Sequence, residues 1–514
     1  LSMMWLDYYD EQQGLYFASY DDSFHVAALH CETFGVSRPG MGFYAIRFPY
    51  VASGCEWNSN PFVVAVHPGD WHWGAERYRE WRRSVSDKQR FPAPDWVARS
   101  PGLVAHYDFK YQNGNIVHRF RDLPEIYRQA KEMGMNHLLL SGWHIDGFDN
   151  GFPKYRPDPD LGTEEELIEH VQAIRRTGGH VAFYVNSRLF NRKYHELEDL
   201  MKEGAVVDRK GVVKTERYGN DDITFAVMCS CSTIWQQHLY ETVRYLVETV
   251  GADSIYLDQL GMAPPELCFN SAHRHAPDGW NQGYGDLLDR IRSEFQIGLI
   301  YEGVTDIHGS KTVGQLISTF HHHHVGAFPE LYRYTFPEQL LVDMVYPSRG
   351  QVMRPVHVSQ VSREMIDRTF LLGCYMWVYD LEEDNTFRND PDSYDYLCKV
   401  LRLRSAWLDR FGYGTYQDDT RIIRVEPDIK AKRFELDNGD DLFAVSTQTH
   451  SGIWSLDWST GGRNVREAVL YELGNEHVGR KLDVLSASGE GSDIARLETA
   501  SSRLALVHVR YAVG

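Results

Sequence analysis

Between residues 98 and 410, short apolar runs of strand character alternate with amphipathic helical stretches, and turn-broken β sequence lies on either side. That alternation predicts an α/β fold, a (β/α)8 TIM barrel flanked by N-terminal and C-terminal antiparallel β-sandwich domains. Two further observations agree. Carboxylates close two successive strand runs, where barrels of this kind carry site residues, and Asn438-Gly439 marks a tight hairpin beyond the barrel.

Residues 1–97 read as an N-terminal β-rich domain, with short strands at Gly14–Ser19, His25–Leu29, Gly42–Arg47 and Phe62–Val66. A linker helix over 73–84 and the Pro-bearing stretch 91–96 close it. Residues 98–410 form the barrel. Leu103–Tyr107 is its first strand, and Asp122 caps a helix carrying Leu123, Ile126, Tyr127, Ala130 and Met133, stopped by Gly134. His137–Ser141 follows. Thr163 to Glu166 is a capping box, and Gly178-Gly179 ends the helix it opens. His180–Asn186 is the third strand, a long helix from Ser232 runs to Gly251, and Ser254–Asp258 is the fourth strand. A helix over 281–295 leads to the fifth, Gly298–Glu302. The remaining three strands are expected near 316–322, 341–346 and 370–378. Residues 411–514 form the C-terminal β-sandwich, with the hairpin 433–445 and a closing strand 504–509.

The chain carries 53 basic and 72 acidic side chains, a net charge of −19, which is the wrong sign for neutralising nucleic-acid phosphates. No apolar stretch is long enough to span a membrane. The 13 Trp and 30 Tyr supply flat rings on which sugars stack, although large cores use the same residues. The chain opens on Leu1 with strand-like sequence almost at once and no signal-peptide pattern. An upstream segment is therefore expected to be missing, and the compartment, cytoplasmic or exported, is left open. The seven cysteines form no disulfide framework, and the close pair Cys229 and Cys231 is too tightly spaced for zinc. These thiols are expected to be buried or idle.

Strand parity turns Ser254, Tyr256 and Asp258 to one face of the fourth strand, and Gly298, Ile300 and Glu302 to the same face of the fifth. Neighbouring strands lie about 4.8 Å apart. The two carboxyl groups can therefore approach to the roughly 5–5.5 Å of retaining glycosidases, short of the roughly 6.5–9.5 Å of inverting ones. Asp258, the shorter side chain, is expected to be the nucleophile. Glu302 is expected to be the acid/base, its pKa raised by burial and by the anion beside it. Trp143, His144 and Asp146 follow the second strand, and Tyr184, Asn186 and Arg188 finish the third. Together with Tyr256, Gln259, His273, His275 and Trp280 around the fourth, they are the candidate substrate-binding residues, Trp143 by stacking on a sugar ring. Trp377, on the eighth candidate strand, joins them, although core packing suits it better.

The run His321–His324 invites a metal reading, since alternate residues of a strand share a face. No spaced ligand motif accompanies it, so a pocket role for His323 is expected and no metal or cofactor. Phosphate-binding, nucleophile-elbow and dinucleotide motifs are absent from the sequence, which disfavours phosphoryl transfer, serine hydrolysis and hydride transfer.

Gly251-Ala-Asp-Ser-Ile-Tyr-Leu-Asp-Gln-Leu-Gly261, the His273/His275 loop with Trp280-Asn-Gln-Gly-Tyr284, and Ile300-Tyr-Glu-Gly303 resemble bacterial (β/α)8-barrel glycoside hydrolases of a poorly characterised family. The segment is distantly similar to endo-α-N-acetylgalactosaminidases and, more remotely, to the α-amylase clan. The resemblance implies an Asp nucleophile at Asp258, a Glu acid/base at Glu302, flanking β-sandwiches and an α-linked substrate. The clan's Arg-x-Asp is replaced by Tyr256-Leu257-Asp258, and its third carboxylate is not carried over. The expected function is that of a retaining glycoside hydrolase acting on an oligosaccharide, polysaccharide or glycoconjugate. The rivals are a non-catalytic carbohydrate-binding barrel and a metal-dependent barrel hydrolase using His321–His324.

Overall fold

The computed structural model describes residues 2–512 except 11, 38, 86–92, 108, 218–222, 318–327, 348–357, 381–385, 413, 448–451 and 487–492. Its centre is a closed parallel barrel of eight strands: β1 (Gly102–His106), β2 (His137–Leu140), β3 (His180–Asn186), β4 (Ser254–Asp258), β5 (Gly298–Glu302), β6 (Gly314–Leu316), β7 (Leu341–Val345) and β8 (Tyr375–Tyr379). Each strand neighbours the next in sequence, and β8 returns to β1. Described residues of all eight are almost wholly buried, as expected of strands covered on both faces.

Seven helices matter to the layout: α1 (Leu123–Glu132), α2 (Glu164–Arg176), α3 (Thr233–Tyr245), α4 (Trp280–Glu294), α5 (Pro329–Thr335), α6 (Val358–Leu371) and α7 (Pro391–Ala406). The α2 cap forms as the sequence predicts, the Thr163 hydroxyl accepting from the Glu166 amide at 3.1 Å. The helix then buries Leu167, Val171 and Ile174. The eighth strand begins later than expected because Phe370 and Leu371 are still helical; Gly373, at φ +65°, follows α6 and lets the chain turn into β8. The sixth strand is displaced the other way, ending at Leu316, and residues 318–322 of its expected span lie outside the described residues.

The chain divides into two compact units. One comprises residues 1–93, 107–124 and 139–316. Within it, Trp5–Tyr9, Gln13–Ser19 and Phe62–Pro68 form an antiparallel sheet, and Ala27–Thr33 pairs with Met41–Arg47. The helix Trp71–Val85 buries Trp71, Ala75 and Tyr78. It reaches the loop after β5 through Asp306, to which Tyr78 donates at 2.7 Å and Arg82 pairs at 3.0 Å. A small sheet of Leu189–Asn191, Thr215–Arg217 and Thr224–Val227, unforeseen in the sequence, extends from β3.

The other unit comprises residues 94–106, 125–138 and 317–514. Its C-terminal part is a six-stranded and a four-stranded antiparallel sheet. Phe443, Trp454, Leu456, Trp458, Leu470, Leu497 and Val507 form its core. Asn438-Gly439 lies between paired strands Ile429–Glu435 and Asp441–Thr447, with Gly439 at φ +81°. A left-handed residue there is what a tight hairpin demands. Among the described residues no helix is long and apolar enough to cross a membrane.

Candidate active site

Strand register assembles the polar ends of β3, β4 and β5. Asp258 lies opposite Asn186 and Tyr256 opposite Tyr184, while Tyr256 also aligns with Ile300, two residues before Glu302. Side chains two apart on a strand share a face. Tyr184, Asn186, Asp258 and Glu302 therefore converge. The Tyr184 hydroxyl donates to Oδ2 of Asp258 at 2.6 Å, and the Asn186 amide donates to the same oxygen at 2.8 Å. Asn186 cannot turn its amide round freely, because its Oδ1 accepts from the backbone amides of Arg188 (3.0 Å) and Leu189 (2.9 Å).

Glu302 is hydrogen-bonded to Asp258 directly. Its Oε2 also accepts from the backbone amide of Gln259 at 3.1 Å, and its carbonyl from Gly261 at 2.8 Å. The ends of β4 and β5 are thus stitched together. Glycine makes this approach feasible: a Cβ on Gly303, at φ +87°, would lie 2.3 Å from the Met262 nitrogen.

Burial raises the pKa of Asp258, opposed by hydrogen bonds from Tyr184, Glu302 and Asn186 and by the charge of Arg188. Burial also raises Glu302 well above the usual carboxyl range, and there the neighbouring Asp258 charge pushes in the same direction. The proton of the pair therefore belongs on Glu302, and Asp258, with two further donors, is the anion. Arg188 is buried and forked onto Glu216 at 2.8 and 2.7 Å, with a third bond to Oε1 of Gln259 at 2.8 Å. Burial works against its charge, and Glu216 more than restores it. Gln259 itself sits at φ +61°, a left-handed position that lets its amide face Glu302 and its side chain face Arg188.

Three residues at this site escaped the sequence reading. Asp149, from the loop after β2, is raised well above the usual range by burial and then by the Asp258 charge, while a long 3.5 Å bond from Tyr184 opposes the shift. Phe148 and Tyr107 meet edge to face at 4.7 Å between centroids, and both rings lie against Tyr184, at 5.2 and 6.2 Å. Both are half-buried, leaving apolar ring surface beside the carboxyls. Asp149 stands three residues after Asp146 in the same loop, so loop position alone could have nominated either.

Other residues named from the sequence go elsewhere. Trp143 is fully buried, its indole donating to the Tyr184 carbonyl at 3.0 Å and packing on Phe183, so it braces β3 and offers no stacking face. His144 is buried too, bonded from Nδ1 to the Ile145 carbonyl, and burial lowers its pKa to about 4, leaving it neutral at pH 7. Asp146 turns to Tyr194 and Lys193, whose hydrogen bonds outweigh partial burial and hold it below its usual range. Trp280 is buried at the start of α4 against Tyr284. Tyr256 is buried with its ring 5.9 Å from Tyr184, forming the floor beneath the polar row. Trp377, in the second unit, is buried beside Tyr379. His273 and His275 face two thiols, Cys268 and Cys229, which are buried as expected. His323 and the rest of the histidine run lie outside the described residues.

Residues 58–306 match the family described as "Domain of unknown function (DUF6259)". A "Putative glycoside hydrolase" of Bacteroides thetaiotaomicron is 29% identical over 230 residues, 43% of this chain and 30% of that protein. "Putative glycoside hydrolase 22789" of Monosiga brevicollis is 24% identical over 331 residues, 55% of this chain and 26% of that protein. The chain spans less than a third of the length of either curated relative. Among solved structures, the α-N-acetylgalactosaminidase NagBb of Bifidobacterium bifidum aligns with a TM-score of 0.60 at 13% identity, covering 86% of this chain and 73% of that one. The chain resembles glycoside hydrolases in sequence and glycosidase barrels in fold.

Proposed function

We propose that the protein is a retaining glycoside hydrolase acting on an α-linked sugar by double displacement. The observation that carries the reading is the placing of Asp258 and Glu302 side by side at neighbouring strand ends, Asp258 accepting from Tyr184 and Asn186 at 2.6 and 2.8 Å and Glu302 from the Gln259 amide at 3.1 Å. An inverting pair needs about 6.5–9.5 Å, with room for a water between the two groups. The side chains of Asp258 and Glu302, hydrogen-bonded at neighbouring strand ends, leave no such room, so a sugar must enter between them and turn Glu302 aside. In the first step Asp258 attacks the anomeric carbon, the glycosidic C–O bond breaks, and Glu302 gives its proton to the leaving oxygen. In the second, Glu302 takes a proton from water, whose oxygen displaces Asp258.

Tyr184 and Asn186 hold the Asp258 oxygen in place and favour its charged form. Phe148 and Tyr107 suit the apolar face of a sugar ring. The α linkage rests on the likeness in fold to solved structures, among them one named an α-N-acetylgalactosaminidase. Trapping with activated 2-deoxy-2-fluoro or 5-fluoro sugars of several configurations tests the reading. A covalent adduct on Asp258 is expected in peptide mass spectra, and an adduct on another residue, or affinity for every sugar without release of any, contradicts it.

Asp149 bears on the same proton, since at the alkaline pH where it ionises its charge adds to the burial and the Asp258 charge that raise Glu302. Asp149→Asn is therefore expected to move the alkaline limb of the kcat/KM profile to lower pH, because Glu302 then loses its proton sooner. A profile unchanged in that limb would detach Asp149 from the acid/base group.

A further inference from the structure

Away from the carboxyls, the loop joining β4 to α4 carries Cys268, His273 and His275, and Cys229 lies on the segment between the small sheet and α3. The four side chains bring one ligand atom each to within 4.8 Å of all the others. The Cys229 sulfur is 3.3 Å from Nε2 of His275, and the Cys268 sulfur 3.4 Å from Nδ1 of His273. A tetrahedral zinc ion with Zn–S of about 2.3 Å and Zn–N of about 2.0–2.1 Å sets its ligands roughly 3.3–3.8 Å apart. The sulfur–nitrogen spacings match that geometry.

Tautomer is the second, independent observation. His273 donates from Nε2 to the Glu203 carbonyl at 2.7 Å, and His275 donates from Nδ1 to the Ala276 carbonyl at 2.7 Å. A carbonyl only accepts, so in each neutral ring the proton is placed on the outer nitrogen. The lone pair of the other nitrogen then points at a thiol. Metal-bound histidines are oriented in this way, by a carbonyl or carboxylate behind the ring. Both thiols are buried, and the backbone holds them: the Cys229 amide donates to Gly204 and the Cys268 amide to Pro277. Cys231, whose short spacing from Cys229 discouraged a zinc reading, instead donates its thiol to the Gly279 carbonyl at 3.0 Å.

We propose that Cys229, Cys268, His273 and His275 bind one zinc ion in a closed structural site that clamps the β4–α4 loop onto the chain entering α3. Four protein ligands complete the tetrahedron, so no position is left for a substrate or a reactive water. The ion pins the far half of a loop whose first residue, Gln259, contacts both Glu302 and Arg188. This assignment is independent of the glycosidase reading. Soft thiolates with imidazoles select zinc over hard cations such as magnesium or calcium.

The test is metal analysis of tag-free protein purified under reducing conditions. About one zinc per chain is expected by elemental mass spectrometry. Cobalt exchange should yield the intense visible bands of a tetrahedral site and a thiolate charge-transfer band in the near ultraviolet. The double variant Cys229→Ser/Cys268→Ser should lose both metal and bands, whereas Cys31→Ser, at an exposed position, should retain them. Chelation should lower Tm, and added zinc restore it. Zinc far below one equivalent after reconstitution of the parent protein, cobalt spectra without thiolate bands, or recovery of Cys229 and Cys268 as a disulfide would each overturn the assignment; none of these readouts requires a variant to fold.

Discussion

Asp258→Asn is expected to lower turnover of activated and natural glycosides alike, by about 10⁴-fold or more, the scale on which losing a catalytic nucleophile is felt. Asparagine keeps the shape and still accepts from Tyr184 and Asn186, which donate to Oδ2 at 2.6 and 2.8 Å. The fold should therefore survive. What disappears is the negative oxygen that attacks the anomeric carbon. A second effect adds to the first: the Asp258 charge is one cause of the raised Glu302 pKa, and without it Glu302 gives up its proton at lower pH. A good leaving group does not rescue this variant, because the missing bond is the one to the sugar. Initial rates on aryl glycosides, with Tm measured in parallel, decide the matter. Near-normal hydrolysis by a folded Asp258→Asn protein would remove the nucleophile assignment.

Glu302→Gln should separate the two steps. Substrates with poor leaving groups need the proton and should slow by about 10²–10⁴-fold. Aryl glycosides with good leaving groups should still react in the first step and then stall as glycosyl-enzyme, because no base activates water. A burst followed by a slow steady state is the expected trace, and azide, which needs no deprotonation, should restore turnover. The pH profile carries a separate signature. Activity in the parent needs Asp258 charged and Glu302 protonated, so it should fall as pH drops through the raised Asp258 pKa. It should fall again as pH climbs through the Glu302 pKa, held well above the usual range by burial and by Asp258. Glu302→Gln should lose the alkaline limb of the first step.

Stability gives the opposite sign. A carboxyl whose folded pKa is raised contributes fully below its unfolded value, and that contribution is lost as pH rises through the folded value. Glutamine does not ionise, so the variant should melt higher than the parent at alkaline pH, by about 1–3 °C, with the difference vanishing in acid. Equal loss on good and poor leaving groups, without a burst or azide rescue, would remove Glu302 from the acid/base role.

Much of the barrel was legible because strand and helix periods are local properties of the chain. Ser254–Asp258 and Gly298–Glu302 form as read, and parity alone put Asp258 and Glu302 on a common face. The hairpin carrying Asn438-Gly439 likewise forms, its loop between Glu435 and Asp441 turning through Gly439 at φ +81°. Loops obey no such period. Which of Asp146 and Asp149 faces the carboxyls is decided by where Lys193 and Tyr194 lie, and both come from a segment more than 40 residues away. Trp143 reads as a stacking platform until β3 covers it.

The cysteines show the same division most plainly. Sequence spacing excluded Cys229 and Cys231 as a zinc pair, yet Cys268 reaches Cys229 across α3 and β4. What the sequence by itself determined is the alternation of elements and the side on which each strand residue points, since both depend on backbone geometry over a few residues. What only the tertiary structure decided is which loops meet, and with them the third carboxyl, the aromatic wall and the thiol–imidazole cluster. Those contacts are set by the summed packing of distant segments, a balance that no short window of sequence contains.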